Sequence, residues 1–133
     1  MDIGVFFFPT HYSVELTELA TELEQRGFES LLTCEHTHIP VSRKTPFPGG
    51  GEVPKQYYHT YDPFVALSCG AAVTKRLKIG TGICLVPQHD PFNLAKSVAS
   101  VDRLSGGRFI LGIGGGWNVD EMENHGVEYK NRF

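Results

Sequence analysis

The sequence predicts an α/β protein built on a parallel sheet, and three observations carry that prediction. Short apolar runs alternate with helix-period segments in the order βα-βα-βα-βα. The first apolar run does not alternate with polar residues, which fits a strand buried on both faces, as in parallel sheets. Two helices open with the same signal, Asp62-Pro63 and Asp90-Pro91, in which an N-cap precedes proline at the first helical position. The order implies right-handed crossovers. Two architectures satisfy it: a doubly wound open sheet, or part of a (βα)8 barrel. A full barrel needs about 250 residues, so the four βα units in these 133 residues make half of one.

Residues 3–8 form the first predicted strand, closed by Pro9. Ser13 is the predicted N-cap of a helix carrying Leu16, Leu19, Ala20 and Leu23, with Gly27 where a terminating glycine belongs. Residues 28–33 form the second strand. Residues 34–61 break the rhythm: the segment holds Pro40, Pro46, Pro48, Pro54 and Gly49-Gly50-Gly51 and carries no helical or alternating period. Such a long loop inside a compact domain is functional or disordered. Its His and aromatic residues, among them His36, His38, Phe47, Tyr57 and Tyr61, favour a binding loop.

Regular units resume at Asp62-Pro63, which starts a helix to about Val73. Residues 77–86 form the third strand. The helix after Asp90-Pro91 lines up Leu94, Val98 and Val101 and ends at Ser105-Gly106-Gly107. Residues 108–113 form the fourth strand. Asn118 caps a last short helix, with Glu121 three positions on in a capping-box arrangement. Residues 1–133 thus form one unit with a long loop at 34–61.

Hydrophobic residues at 41% and charged residues at 20% support a packed core. A formal charge of −3 argues against a nucleic-acid binder running on bulk electrostatics. The three cysteines, Cys34, Cys69 and Cys84, include no C-x-x-C pair and read as reduced thiols. The N-terminus lacks the basic region of a signal peptide, and no uncharged stretch reaches membrane-spanning length. The expectation is a cytoplasmic protein with a small-molecule substrate and neither nucleic acid nor membrane as partner.

In either architecture a ligand sits at the C-terminal ends of the strands. There the chain places Pro9-Thr10-His11, the segment from Cys34 to His38, Gly82 to Pro87, and Gly112 to Asn118. The carboxylate and imidazoles of Glu35, His36 and His38 can hold a metal or move a proton; the plainer alternative is a solvated loop. Glycines from Gly112 to Gly116 let backbone approach a flat or phosphorylated ligand, or make a tight corner between packed elements. They are not the dinucleotide fingerprint, because Trp117 stands where its last glycine would fall. Gly80 and Gly82 inside a strand mark a bulge or a ligand against backbone, or simple close packing. Cys69 is expected in the core. Cys84 borders the site with nothing beside it in sequence to activate a thiolate.

Three segments carry a further likeness: Thr81-Gly82-Ile83-Cys84-Leu85-Val86-Pro87, Leu104-Ser105-Gly106-Gly107-Arg108-Phe109, and Gly112-Ile113-Gly114-Gly115-Gly116-Trp117-Asn118-Val119-Asp120-Glu121-Met122. They resemble the bacterial luciferase-like flavin oxidoreductases, and within them the branch that uses coenzyme F420. Glu35-His36-Thr37-His38-Ile39-Pro40 and Asn124-His125-Gly126 fit the same subgroup. The resemblance spans essentially the whole chain. It implies a TIM-barrel oxidoreductase, here the N-terminal half, with a tricyclic cofactor across the strand mouths.

The resemblance also implies roles. A bulge in the third strand, often with a non-proline cis peptide, backs the ring and matches Gly82-Ile83, with Cys84 beside it. Glu35 matches an acidic residue near the reactive part of the ring, and His36 matches a residue facing the substrate. Gly114, Gly115, Gly116, Trp117 and Asn118 match the segment bordering the cofactor, whose phosphate tail is held largely by the second half of the barrel. The implied reaction is hydride transfer between coenzyme F420 and an organic substrate, with His36 exchanging the accompanying proton. An FMN-dependent monooxygenase is the alternative on the same fold. A metal hydrolase using His36 and His38, and a truncated chain without activity, are the other readings. Four units leave two open edge strands, which a homodimer completing the barrel would cover.

Overall fold

The computed structural model describes Met1–Phe133. Strand β1 is Gly4–Phe7, followed by helix α1 at Leu16–Gln25, strand β2 at Ser30–Thr33, helix α2 at Pro63–Val73 and strand β3 at Lys78–Leu85. Helix α3 at Pro91–Ser105, strand β4 at Phe109–Gly114 and helix α4 at Val119–Asn124 complete the order. Short 3₁₀ turns lie at Lys55–Tyr58, Val86–Gln88 and Tyr129–Asn131. No helix is long and apolar enough to cross a membrane.

All strand pairs are parallel, and the spatial order is β1-β2-β3-β4. That consecutive order is the barrel solution; a doubly wound sheet reverses direction around its first strand. Val5, Leu31, Ile79 and Phe109 stand in register across the sheet. All four pack with helix residues: Leu31 lies with Leu16, Ala20 and Ala66, and Ile79 with Phe64, Leu67, Leu94 and Val101. The intervening row, Phe6, Leu32, Gly80 and Ile110, faces the other way. The structure is therefore a half barrel with helices on one face.

The first strand was expected to be buried on both faces. It is not: Phe6, on the face turned away from the helices, is 51% exposed.

Helix ends follow from local chemistry. Asp62 accepts a hydrogen bond from the Val65 amide and Asp90 from the Asn93 amide, both at 2.9 Å, with proline next in each case. Gly27, at φ 78°, ends α1, and the Phe28 amide reaches back to the Leu23 carbonyl. Ser13 departs from its predicted role. Its hydroxyl closes a turn on Thr10, and α1 starts at Leu16 with no side-chain cap. Cys69 also departs: helix α2 is apolar all round, and Cys69 lies on its outer, exposed side.

Two polar devices lock the layers. The Glu24 carboxylate accepts from the amides of Lys75, Arg76 and Leu77, joining α1 to the entry of β3. The Arg108 guanidinium donates to the carbonyls of Ala71, Thr74, Leu77 and Ser105 and to the Thr74 hydroxyl. It thereby satisfies the orphan carbonyls at the end of α2. Gly80 packs where no side chain fits. A Cβ there would lie 2.5 Å from the Ile110 carbonyl oxygen and 2.9 Å from a Leu32 methyl. Close packing against the neighbouring strand, not a ligand, accounts for that glycine.

Candidate functional site

The strand mouths open onto a cleft of about 160 Å³. Its floor is the irregular part of β3, where the pairing with β4 shifts between Thr81 and Cys84. The Gly82-Ile83 peptide there is cis. Phe6 and Phe8 come from β1 and its exit, Glu35 and His36 from the end of β2, and Gly116 and Trp117 from the turn after β4. The long loop folds back to add Tyr57, whose ring lies 4.8 Å from Phe8 and 5.3 Å from His36. Thus Glu35, His36, Gly82, Ile83, Gly116 and Trp117 share one cleft, although they come from three separate strand ends.

Four other predicted positions lie elsewhere. Gly114 lines a larger cleft of about 520 Å³ with Val86, Pro87, Val127 and Phe133. Gly115 is buried, with the Phe133 ring over it. Asn118 is buried, and its side chain accepts from the Glu121 amide as a helix cap. Cys84 faces the helices, fully buried beside Phe64 and Ile79. Burial, with the nearby Glu35 charge adding to it, pushes its thiol up to about 12. Cys34, also buried, is pushed up to about 11 by desolvation.

Glu35 is buried, and both of its oxygens are engaged. One accepts from the Leu85 amide at 2.5 Å and the other lies 2.8 Å from His89 Nε2. The carboxylate therefore pins the end of β2 to the end of β3. Glu35, Cys84 and His89 place ligand atoms within 4.8 Å of one another. A metal there would have to displace the Glu35–His89 pair and take up a thiol held strongly protonated.

His36 is held from an unexpected direction. Its Nδ1 lies 2.8 Å from Glu121 Oε2, and the pair is nearly solvent-free, with side chains 6% and 0% exposed. The other Glu121 oxygen accepts from the Thr37 amide at 3.0 Å. The capping box predicted at α4 is thus only half made. Asn118 caps the helix, while Glu121 turns away to the histidine. Thr37 Oγ1 further contacts His38 Nδ1 and His125 Nε2, at 2.9 and 2.7 Å. His38 is engaged on its other side by Asn124, so His36 and His38 do not converge on a common point. The neighbouring Asp120 fastens the loop: it accepts from the Thr45 hydroxyl and the amides of Thr45 and Lys44.

Sequence reasoning missed Glu121 and His89. Glu121 carried a competing signal, its place three residues after a cap, and His89 carried none.

A parallel half barrel whose strand mouths open onto an aromatic cleft is the arrangement found at the ligand-binding end of TIM-barrel enzymes. The family model for luciferase-like monooxygenases matches residues 1–133, and the chain belongs to that family. An uncharacterised protein of Mycobacterium tuberculosis is 40% identical over 130 residues, covering 96% of this chain and 46% of its own length. Among solved structures, a monooxygenase from Streptomyces bottropensis aligns with TM-score 0.77 at 27% identity, covering 100% of this chain and 40% of that one. The coenzyme F420-dependent tetrahydromethanopterin reductase of Methanopyrus kandleri aligns with TM-score 0.68 at 25% identity, covering 95% and 30%. The chain spans less than half the length of each.

Proposed function

We propose that this chain forms the ring-facing part of an oxidoreductase that moves a hydride between coenzyme F420 and a small organic substrate. One observation carries the reading. Phe6, Gly82 and Ile83 line the same cleft as His36, a buried imidazole with one ring nitrogen free of protein partners. A planar tricyclic group would lie against these residues. Gly82 presents backbone there, and a Cβ would already touch Phe6 and Leu32 at 3.4 Å. Gly82 and Ile83 would back the ring, and Gly116 and Trp117 would border it.

Bound deazaflavin supplies hydride chemistry without oxygen activation. The chain's own residues supply the rest. His36 exchanges the accompanying proton. Glu35 sets the height of the β2 end against β3 through the Leu85 amide. Phe8, Tyr57 and Trp117 exclude water around the imidazole. The geometry does not favour metal-assisted hydrolysis through His36 and His38, because both ring nitrogens of His38 are engaged, by Thr37 and Asn124, and His36 has only Nε2 left over from its bond to Glu121.

Titration of the chain with coenzyme F420 and separately with FMN, followed by ring fluorescence and visible absorbance, tests this. Saturable binding with preference for F420 is the expected result. Preference for FMN overturns the cofactor assignment in favour of a flavin monooxygenase, and binding of neither overturns the ring site. His36→Ala is expected to slow hydride transfer far more than it weakens cofactor binding.

A further inference from the structure

Helix capping does not explain why Glu121 is buried, since its carboxylate makes no bond to the end of its own helix. We infer that Glu121 is a positioning residue: it locks His36 in the Nδ1–H tautomer and leaves Nε2 as the ring atom that takes up or releases the proton. The inference rests on the reading of His36 as the proton-exchanging group of the cleft.

The argument is one of donors and acceptors. An ionised carboxylate only accepts. Glu121 Oε1 takes the Thr37 N–H at 3.0 Å, and Oε2 lies 2.8 Å from His36 Nδ1. With Glu121 ionised, Nδ1 is the donor. A neutral imidazole carries one N–H, so the lone pair falls on Nε2. Nε2 has no hydrogen-bond partner within the protein, and the ring lines the cleft. Turning the ring over would set a carbon against the carboxylate.

The surroundings resist that rotation. Tyr57 and Trp117 flank the ring at 5.3 and 5.8 Å between centroids. Because Thr37 follows His36 directly, one carboxylate grips both the ring and the backbone next to it. Asn118 caps α4 by accepting from the Glu121 amide and so holds the backbone that carries this carboxylate. A proton accepted at Nε2 makes an imidazolium whose charge faces Glu121, and its release restores the neutral ring, so no other proton has to move.

Long-range ¹H–¹⁵N correlation on the ¹⁵N-labelled chain without cofactor, at a pH where the ring is neutral, reads the tautomer directly. A pyrrole-like Nδ1 and a pyridine-like Nε2 are expected for His36. The reverse assignment, or an averaged pair, overturns the inference. In Glu121→Gln the amide oxygen is claimed by the Thr37 N–H and its NH₂ faces Nδ1, so a reversed or averaged pattern is expected. An unchanged pattern overturns the inference. His125→Gln, which shares Thr37 but does not touch His36, should leave the pattern intact, and a change there would shift control away from Glu121. If the Glu121 variant fails to fold, the unmodified chain still decides. With no cofactor in the sample, a failed cofactor titration leaves this result standing, and the converse also holds.

Discussion

His36 Nδ1 and Glu121 Oε2 meet at 2.8 Å although 85 positions separate the residues. The contact joins the exit of β2 to the helix after β4. Both partners are buried, so removing one strands the other. Glu121→Ala leaves the His36 ring N–H and the Thr37 amide without an acceptor. Each buried orphan costs about 1–3 kcal/mol, so a clear fall in the urea midpoint at unchanged slope is expected, with Glu121→Gln affected less. A midpoint within error of the parent would show that the pair contributes no stability.

Acid should loosen two ties together. The Leu77 amide foremost, with those of Arg76 and Lys75, holds the Glu24 carboxyl at about 2, below its ordinary 4.5. The Thr45 hydroxyl foremost, then the amides of Thr45 and Lys44, hold Asp120 at about 2, below 3.8. Both folded values are depressed, so the unfolded chain binds more protons in this window. The stabilisation is complete above the ordinary values and is lost as pH falls toward about 2. Stability measured from pH 5 down to pH 2 should decline, and Glu24→Gln should flatten the slope.

Alkylation should separate the thiols. Cys69 is exposed, whereas buried Cys34 and Cys84 have thiols pushed up to about 11 and about 12. Iodoacetamide under native conditions should label Cys69 first, and mass spectrometry should show a single adduct until denaturant is added. Early labelling of Cys84 would mean that the core between β3 and the helices opens readily.

Two glycines of the sheet should respond differently. At Gly80 a Cβ meets the Ile110 carbonyl and Cβ, which belong to the neighbouring strand and cannot move away cheaply. Overpacking costs typically about 1–3 kcal/mol, so Gly80→Ala is expected to lower the melting temperature markedly. At Gly114 the clash is with the Ile83 Cδ1 methyl, the end of a flexible side chain. Gly114→Ala should be milder in a thermal melt. It should reshape the cleft instead, because Ile83 must change rotamer.

Arg108 supplies a fifth test. Its guanidinium serves four carbonyls and a hydroxyl from separate segments. Hydrogen bonds to charged groups contribute about 1.5–3 kcal/mol each, and a lysine cannot reproduce the fork. Arg108→Lys and Arg108→Met should therefore both destabilise in a urea melt, and recovery by lysine would contradict the geometric reading.

The elements were readable from local signals because their causes are local. Asp62-Pro63, Asp90-Pro91, Gly27 and Gly106 act within a few residues, and each marks the helix end it was expected to mark. The alternation of strands and helices required a parallel sheet, and the bulge expected at Gly82-Ile83 lies where β3 loses register with β4. Ser13 failed because a hydroxyl satisfies a turn as readily as a helix end, and the turn on Thr10 won. Cys69 failed because a helix apolar on every side gives no phase from which to read its buried face.

The partnership of side chains was decided only by tertiary structure. Glu121 carried a sound local reading as a capping residue, and the fold replaced it with a ring nitrogen brought from the other end of the chain. Glu35 stood at its strand end as expected, yet its carboxylate is taken up by the Leu85 amide and His89. Buried carboxylates go where unpaired donors are, and strands distant in sequence bring those donors. The order of residues determined which elements form and at which end they converge. Only the packed sheet, with the long loop folded back across it, decided that His36 would present a single free nitrogen to the cleft.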